Sequence, residues 1–438
     1  LGDVYKRQGL IALKRPFHKI MTGTLKPILG YLMLAAGAGV IVSNLDPLGK
    51  MIEHGFHITG VVPNNEAIVA VAQKVLGVET MSILVVGLLM NLCIARFTKF
   101  KYVFLTGHHS LFMACLMSAV LGTAGLSGME LILVGGFLMG AWSAISPAIG
   151  QSYTSKVTDG DEIAIGHFGS LGYYLSAWVA KYVGKAEDST EDIEIPEKWG
   201  FLRDSTLSTA LTMIVFYLIA AFAAGSEFVA TLSGDMSPYL YAVISAMNFA
   251  VGVTIVYSGV RMILGDLIPA FQGIATKIIP NAIPAVDCAV FFTYAPTAVV
   301  LGFLSSFIGG IIGMLILGAV GGVLIIPGLV PHFFCGATAG IYGNATGGRR
   351  GAAVGAFLNG LAITFLPALA LPVLGQLGFQ NTTFGDADFA VMGLVLGNAY
   401  EWVGMAGIYG IVAIAALVLI VPNFIKTKGK VINYVEED

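Results

Sequence analysis

Long apolar runs, each near the length of a bilayer crossing, follow one another along almost the whole chain. A hydrocarbon core about 30 Å thick takes about 20 mostly apolar residues per helical crossing. Runs of that kind occupy 27–42, 79–95, 102–121 and 129–149. A more mixed stretch at 163–183 comes next, then clean runs at 207–232 and 238–257. The stretches 262–283 and 286–307 are interrupted by Pro269, Pro280, Pro284 and Pro296, and 309–329, 351–373 and 401–421 complete the series. Three shorter apolar pieces, 65–77, 331–342 and 389–397, read as half-helices or re-entrant hairpins. The pattern predicts an all-α polytopic membrane protein with about 9–12 crossings.

Polar positions between the runs suggest an orientation. Lys14, Arg15, Lys19 and Lys26 precede the first run, and Lys426, Lys428 and Lys430 follow the last. Basic residues accumulate on the cytoplasmic side, so both ends are expected there, with an even number of crossings between them. Arg96, Lys99 and Lys101 form a further cluster whose side the spacing leaves open. The most hydrophilic stretch, 184–204, holds Glu187, Asp188, Glu191, Asp192, Glu194 and Glu197. It reads either as a solvated loop or as a docking surface for a soluble partner. Residues 1–8 (LGDVYKRQ) are polar and join abruptly to the sequence from Gly9 onward. No apolar segment with a cleavage site comes after them, so they are not a signal peptide. They are read as a non-native leader, with one membrane-embedded unit over 9–438.

Composition supports the same class. Of 438 residues, 56% are hydrophobic and 11% charged, with a mean hydropathy of +0.84. Soluble domains carry roughly 25% charged residues, so a water-soluble fold is excluded. The 56 glycines suit helices that approach closely or break around a cavity. A net charge of -3 gives no footprint for nucleic acid. Cys93, Cys115, Cys288 and Cys335 show neither CxxC nor Cys/His spacing, and are read as small buried residues rather than a zinc site or disulfide framework.

A faint internal echo suggests two repeats, about 9–235 and about 236–425. Gly23–Leu32 resembles Gly259–Leu267, Pro63–Glu66 answers Pro284–Asp287, and Gly107-His108 answers Pro331-His332.

Polar groups inside apolar segments cost about 2.5–3.5 kcal/mol at a helix centre, so they point to a site. Five places stand out. In Leu105-Thr-Gly-His108-His109-Ser110-Leu111-Phe112 two imidazoles adjoin. Helical neighbours point about 100° apart, so only one can face a given cavity squarely. They read as partners for a hydroxylated ligand, or as histidines bonded to a neighbouring helix; adjacent histidines are poor metal-ligand spacing. In Ile165-Gly-His167-Phe168-Gly169-Ser170 the glycines let backbone approach a ligand and Phe168 offers a flat face, with small-residue helix packing as the alternative. Asp287, in Pro284-Ala-Val-Asp287-Cys288, is a lone carboxylate beside prolines. It could accept from hydroxyls, carry a coupling proton, or simply pair with Arg261. Pro63-Asn64-Asn65-Glu66 opens a short apolar segment as site or N-cap. Asn398-Ala-Tyr400-Glu401-Trp402 reads as an interfacial anchor. Walker A, G-x-S-x-G, H-E-x-x-H and potassium-filter motifs are all missing, so no ATP-driven pump, common hydrolase or potassium channel is indicated.

At these residues the chain resembles a known family. Leu105-Thr-Gly-His108, Ile165-Gly-His167, Tyr257-Ser-Gly-Val-Arg261-Met262, Val286-Asp287-Cys288-Ala289, Tyr294-Ala-Pro296-Thr-Ala298-Val299 and Leu324-Ile-Ile-Pro327-Gly328 are similar to the ascorbate-specific IIC permease of the phosphotransferase system. The likeness runs from about Gly9 to the last apolar run and is most specific over 261–331; the family's first crossing would precede Gly9. The resemblance implies a homodimeric, elevator-type permease of the bacterial inner membrane with two inverted repeats. A core domain carries L-ascorbate against a V-shaped dimerisation domain. A partner IIB protein, charged through IIA, HPr and Enzyme I, phosphorylates the solute, so the permease needs no catalytic nucleophile, cofactor or metal. Carried over by position, the substrate contacts fall on Asn65, Glu66, His108, His109, Ser110, Leu111, Phe112, His167, Phe168 and Asp287. Relatives carry glutamines after both histidines, where this chain has His109-Ser110 and Phe168-Gly169, and Asn65-Glu66 replaces a Thr-Tyr step. These departures leave the solute less fixed than the transport class. The alternatives are a proton-coupled transporter using Asp287 or Glu66, and a galactitol-type IIC permease.

Overall fold

The computed structural model describes residues 17–57, 60–63, 65–193, 205–277, 279–375 and 382–424. Long helices alternate with very short strands. Helix α1 (Phe17–Gly55) leads to β1 (Val62–Pro63), α2 (Asn65–Phe97), β2 (Tyr102–Phe104), α3 (Gly107–Thr123), α4 (Gly128–Thr158), β3 (Ala164–Ile165) and α5 (Ser170–Val183). Helices α6 (Ser205–Ala224), α7 (Ser226–Ser233) and α8 (Pro238–Lys277) follow. Then come β4 (Ile283–Val286), a 3-10 turn (Cys288–Thr293), α9 (Pro296–Ala319), α10 (Leu329–Gly375), β5 (Thr382–Thr383), α11 (Ala387–Val403) and α12 (Met405–Ile420).

Among the described residues seven helices are long and apolar enough to cross a membrane, or up to eight if the bent pair of α6 and α7 forms one crossing. That is fewer than the 9–12 expected, and the reasons are physical. The apolar runs at 102–121 and 163–183 open with strands, leaving helices of only 17 and 14 residues. The runs 238–257 and 262–283 share one 40-residue helix, α8, that continues through Pro269. The piece at 65–77 is the start of α2, not a separate half-helix. Around the prolines, 286–307 and 309–329 re-divide into the 3-10 turn and α9, with Pro296 opening the helix, where its missing N–H is unpaired in any case. Helix α10 is broken at Gly347 and Gly348, so 331–342 belongs to a separate first limb, 329–346.

Helices α1, α6 and α8 pack on one another, while α2 packs with α3 and α4, and α9 and α5 pack on α10. Small residues set the last of these groupings. A Cβ on Gly340 would lie 2.6 Å from Ala298 O and 2.6 Å from Gly302 Cα, so α9 and the first limb of α10 touch backbone to backbone.

Two sheets interlock the chain. One has order β2-β4-β3, all parallel, with a strand from the second half between two from the first. The other pairs β1 with β5 in parallel and bridges Val61 to Ile325, so a first-half strand lies between two second-half segments.

The acidic stretch is more than a solvated loop. Asn344 Oδ1 accepts the Thr190 amide at 2.8 Å, Asp188 O accepts the Arg349 amide at 2.8 Å, and Glu191 accepts the Thr297 and Ala298 amides at the start of α9. It is a strap across the break in α10, with Glu187, Asp188 and Asp192 still exposed; Glu194 and Glu197 lie outside the described residues. In the cluster after α2, Lys101 Nζ donates to Ala95 O at 3.1 Å, capping that helix, and burial next to Arg96 lowers its pKa. Cys115, Cys288 and Cys335 are buried as expected, but Cys93 is exposed on α2, whose outer face is apolar. The basic ends of the chain, Lys14, Arg15 and Lys426 among them, and residues 1–8 lie outside the described residues.

Gly340→Ala should lower the thermal midpoint of the purified protein by several degrees, since the neighbours of the new methyl are backbone atoms that cannot turn aside. Gly39→Ala, with nothing within 4 Å, should leave the midpoint unchanged or slightly raised.

Candidate functional site

A strand inside a membrane protein exposes amides that no lipid can satisfy. The three strands β2, β4 and β3 satisfy each other: Leu105 N donates to Ala285 O at 2.9 Å, Ile283 N to Lys101 O at 2.9 Å and Gly166 N to Val286 O at 2.7 Å. Gly166 fits because any Cβ there would collide with the Ala285 carbonyl. Since the strands are parallel, their C-terminal ends lie together. Each end is followed at once by one of the polar motifs: His108-His109 after β2, His167-Phe168 after β3 and Asp287 after β4. In open parallel sheets the carboxyl ends of strands are where ligands bind.

His108 Nε2 lies 3.4 Å from Asp287 Oδ2, and His108 is the exposed member of the cluster. Asp287 also accepts the Ala289 amide at 3.0 Å, capping the 3-10 turn. Arg261, the alternative partner, has its side chain outside the described residues. His109 points the other way and is buried. Its ring lies 3.7 Å from that of His167, and Phe389 stacks over it at 5.6 Å. Phe168 is fully buried, stacked on Phe104 at 4.6 Å, and Phe112 packs 5.7 Å from His109. Ser110 is buried and donates back to Thr106 O at 3.2 Å, and Leu111 is half-buried in the same apolar cluster. Of the ten positions, the eight that follow β2, β3 and β4 separate into an accessible pair, His108 and Asp287, and a wall of buried or half-buried residues behind it. Glu66 keeps its backbone place in α2, but its side chain lies outside the described residues.

Backbone amides fix the polarity of both inner imidazoles. Phe168 N–H donates to His109 Nδ1 at 3.3 Å, and Gly169 N–H donates to His167 Nδ1 at 3.1 Å. A neutral imidazole whose Nδ1 accepts must carry its proton on Nε2. Both residues are therefore Nε2–H donors. His109, His167 and Asp386 bring one ligand-type atom each within 4.8 Å of one another, as do His167, Asp287 and Cys288. The assigned tautomers leave no imidazole lone pair free for a cation at either group.

Asn65 stands at the end of the other sheet. Its Nδ2 donates to Asp386 Oδ2 at 2.6 Å, and its Oδ1 accepts the Gly385 amide at 2.9 Å. Asp386 Oδ1 lies 3.8 Å from His167 Nδ1, so Asn65 reaches the histidine cluster through this carboxylate. His332, which follows the 324–326 bridge as His108 follows β2, is buried and bonded to Ser306 Oγ at 2.9 Å.

Sequence reasoning missed Asp386 and Asp388. Asp388 is fully buried and accepts from Ser170 Oγ at 2.8 Å, Leu171 N–H at 2.9 Å and Trp142 Nε1 at 3.2 Å, holding the first turn of α5 beside His167. The signal was present: Gly385-Asp386-Ala387-Asp388 places two carboxylates against an apolar segment, at the same cost that marked Asp287. A shallow cleft lined by Ser305, Ile308, Val354 and Phe357 lies elsewhere, on the apolar outer face of α9 and α10.

Comparison with known proteins gives the same direction as the geometry. The family described as "PTS system sugar-specific permease component" matches residues 8–388. The "Ascorbate-specific PTS system EIIC component" of Mycoplasma pneumoniae (strain ATCC 29342 / M129 / Subtype 1) is 27% identical over 398 residues, covering 77% of this chain. The chain spans 59% of the length of that curated relative.

Asp388→Ala should strip the acceptor from three donors, one buried and two half-buried, and lower stability by about 2–4 kcal/mol, at about 1–3 kcal/mol per orphaned group with partial relaxation. Thermal unfolding in detergent measures it, and an unchanged midpoint would show that the carboxylate does not hold α5.

Proposed function

The chain belongs to the family of sugar-specific permease components of the phosphotransferase system, and from that premise we propose that it carries L-ascorbate across the bacterial inner membrane for phosphorylation by a partner IIB protein. The observation that carries this reading is the convergence of three parallel strand ends, which gathers His108, His109, His167 and Asp287 in one place. His108, at the accessible edge, bonds the lactone and enediol oxygens, with the buried His109 and His167 behind it. Asp287 accepts from the hydroxyls, with His108 beside it at the accessible edge. The IIC chain supplies no phosphorylating nucleophile in this scheme; the IIB protein, recharged by IIA, does the chemistry.

Ascorbate itself is named for the Mycoplasma relative, and it comes to this chain by likeness. The same site suits a galactitol-like polyol, because Asp287 and the imidazoles read hydroxyls in either.

Two inverted repeats are supported by the order of elements. Each half runs central strand, long helix, flanking strand, two helical limbs, second flanking strand, helix, and each sheet takes its centre from one half and its edges from the other. An elevator mechanism and a homodimer belong to the same proposal. The feature in keeping with them is that α1, α6 and α8 pack chiefly on one another.

Uptake of radiolabelled ascorbate and galactitol, in cells with and without the IIB protein, tests the reading. Ascorbate accumulation that needs IIB is expected, and His108→Ala or Asp287→Ala should reduce it at least tenfold while the protein still inserts. Wild-type uptake by both variants would remove these residues from the site. Uptake that ignores IIB and collapses with a protonophore would replace the permease scheme by proton coupling.

A further inference from the structure

Asp386 occupies the N-cap position of α11, where an aspartate ordinarily accepts an amide of the first turn. Here the side chain makes no cap bond. Both its oxygens turn instead toward other parts of the chain. Oδ2 accepts Asn65 Nδ2 at 2.6 Å, and Oδ1 accepts the Cys335 thiol at 2.8 Å and lies 3.8 Å from His167 Nδ1. The residue is 4% exposed, so this carboxylate has left water and given up a helix cap for three contacts on three separate elements.

Those elements matter. Asn65 opens α2 just after β1, Cys335 sits in the first limb of α10, and His167 follows β3. Asp386 itself follows β5, the partner of β1. The C-terminal ends of the two sheets therefore meet at one carboxylate. Asn65 is fixed at both atoms, since Gly385 N–H donates to its Oδ1 at 2.9 Å. His167 is fixed by Gly169 N–H at 3.1 Å and by Tyr173 OH at 2.8 Å, with the Asp386 charge on that same Nδ1 side. The ring orientation of His167 is thus set by Gly169 and Tyr173, with the Asp386 carboxylate alongside and not bonded to it.

We infer that Asp386 is a positioning residue for solute binding, which acts by fixing Asn65 against the first limb of α10 through Cys335, beside His167, and so holds the two strand-end clusters together. This rests on the permease reading for the solute. Both its oxygens are engaged by Asn65 and Cys335, so it acts through these neighbours.

A double-mutant cycle on purified protein tests it, with L-ascorbate binding as the readout. Asp386→Asn keeps the size and removes the charge. It should weaken affinity roughly tenfold, as loss of a charged hydrogen bond does, with binding capacity unchanged. Asn65→Ala should cost a similar factor, and the double variant little more than either alone. A residue that merely supported the fold would give losses that multiply, and multiplied losses, or wild-type affinity in Asp386→Asn, overturn the inference. If the wild-type protein binds no ascorbate, the solute reading fails and hydrogen exchange without solute decides the positioning. Asp386→Ala, or Asp386→Asn should the alanine variant not fold, should speed exchange of the Gly385 amide that Asn65 holds, while exchange as in wild type there overturns it.

Discussion

Every unwound backbone amide in this molecule must find a partner inside the protein, and that requirement assembles the site. The chain leaves helical geometry at 102–104, 164–165 and 283–286, in a setting where lipid offers no hydrogen bonds. The cheapest solution is for the three extended segments to bond to one another, as Leu105, Ile283 and Gly166 do through their amides. Parallel pairing then puts the residues just beyond the three strands on one side. The polar groups meet because the backbone must, and the side chains inherit the arrangement.

The same requirement explains why glycine is so frequent near these breaks. Gly166 lets β3 lie against the Ala285 carbonyl, and Gly340 lets the first limb of α10 close onto α9. Each replaces side-chain packing by backbone contact, which in a bilayer is the main way helices gain from meeting. Gly348, at φ 58°, takes a conformation that a side chain would strain, and the strap residues Lys185 and Asp188 present their carbonyls where its Cβ would be. Break, strap and helix start are thus bound into one unit, with Glu191 carrying the connection to α9.

Energetic cost governs how much of the site is legible in the sequence. His108, His167 and Asp287 are polar groups in apolar surroundings, and that alone marks them; the structure brings their elements together. Asn65 is marked as site or N-cap, and it meets a carboxylate from 321 positions away that no local pattern announces. Asp386 and Asp388 carry the same signal as Asp287 but precede a segment too short to cross a bilayer, which draws attention to its length and away from its charges. The count of crossings is overread because a strand of Tyr102-Val103-Phe104 is as apolar as a helical turn. Hydropathy reports transfer from water, and a buried strand and a buried helix score alike. Which strand pairs with which is set by contacts far apart in sequence, so the interlocked sheets are beyond local reading.

The polarity of the site follows from backbone donors more than from its formal charges. Two imidazoles have their Nδ1 lone pairs taken by the Phe168 and Gly169 amides, so each is left with a donor at Nε2. Asp287, when ionised, can only accept, and one of its oxygens already holds the Ala289 amide. Donors therefore come from the α3 and α5 starts and the acceptor from the β4 end, which lies between them in the sheet. On the proposed reading, a solute that satisfies both carries acceptor oxygens and hydroxyl protons in one small frame. Fixed amides impose this pattern before any ligand arrives, which spares the solute the work of ordering the rings.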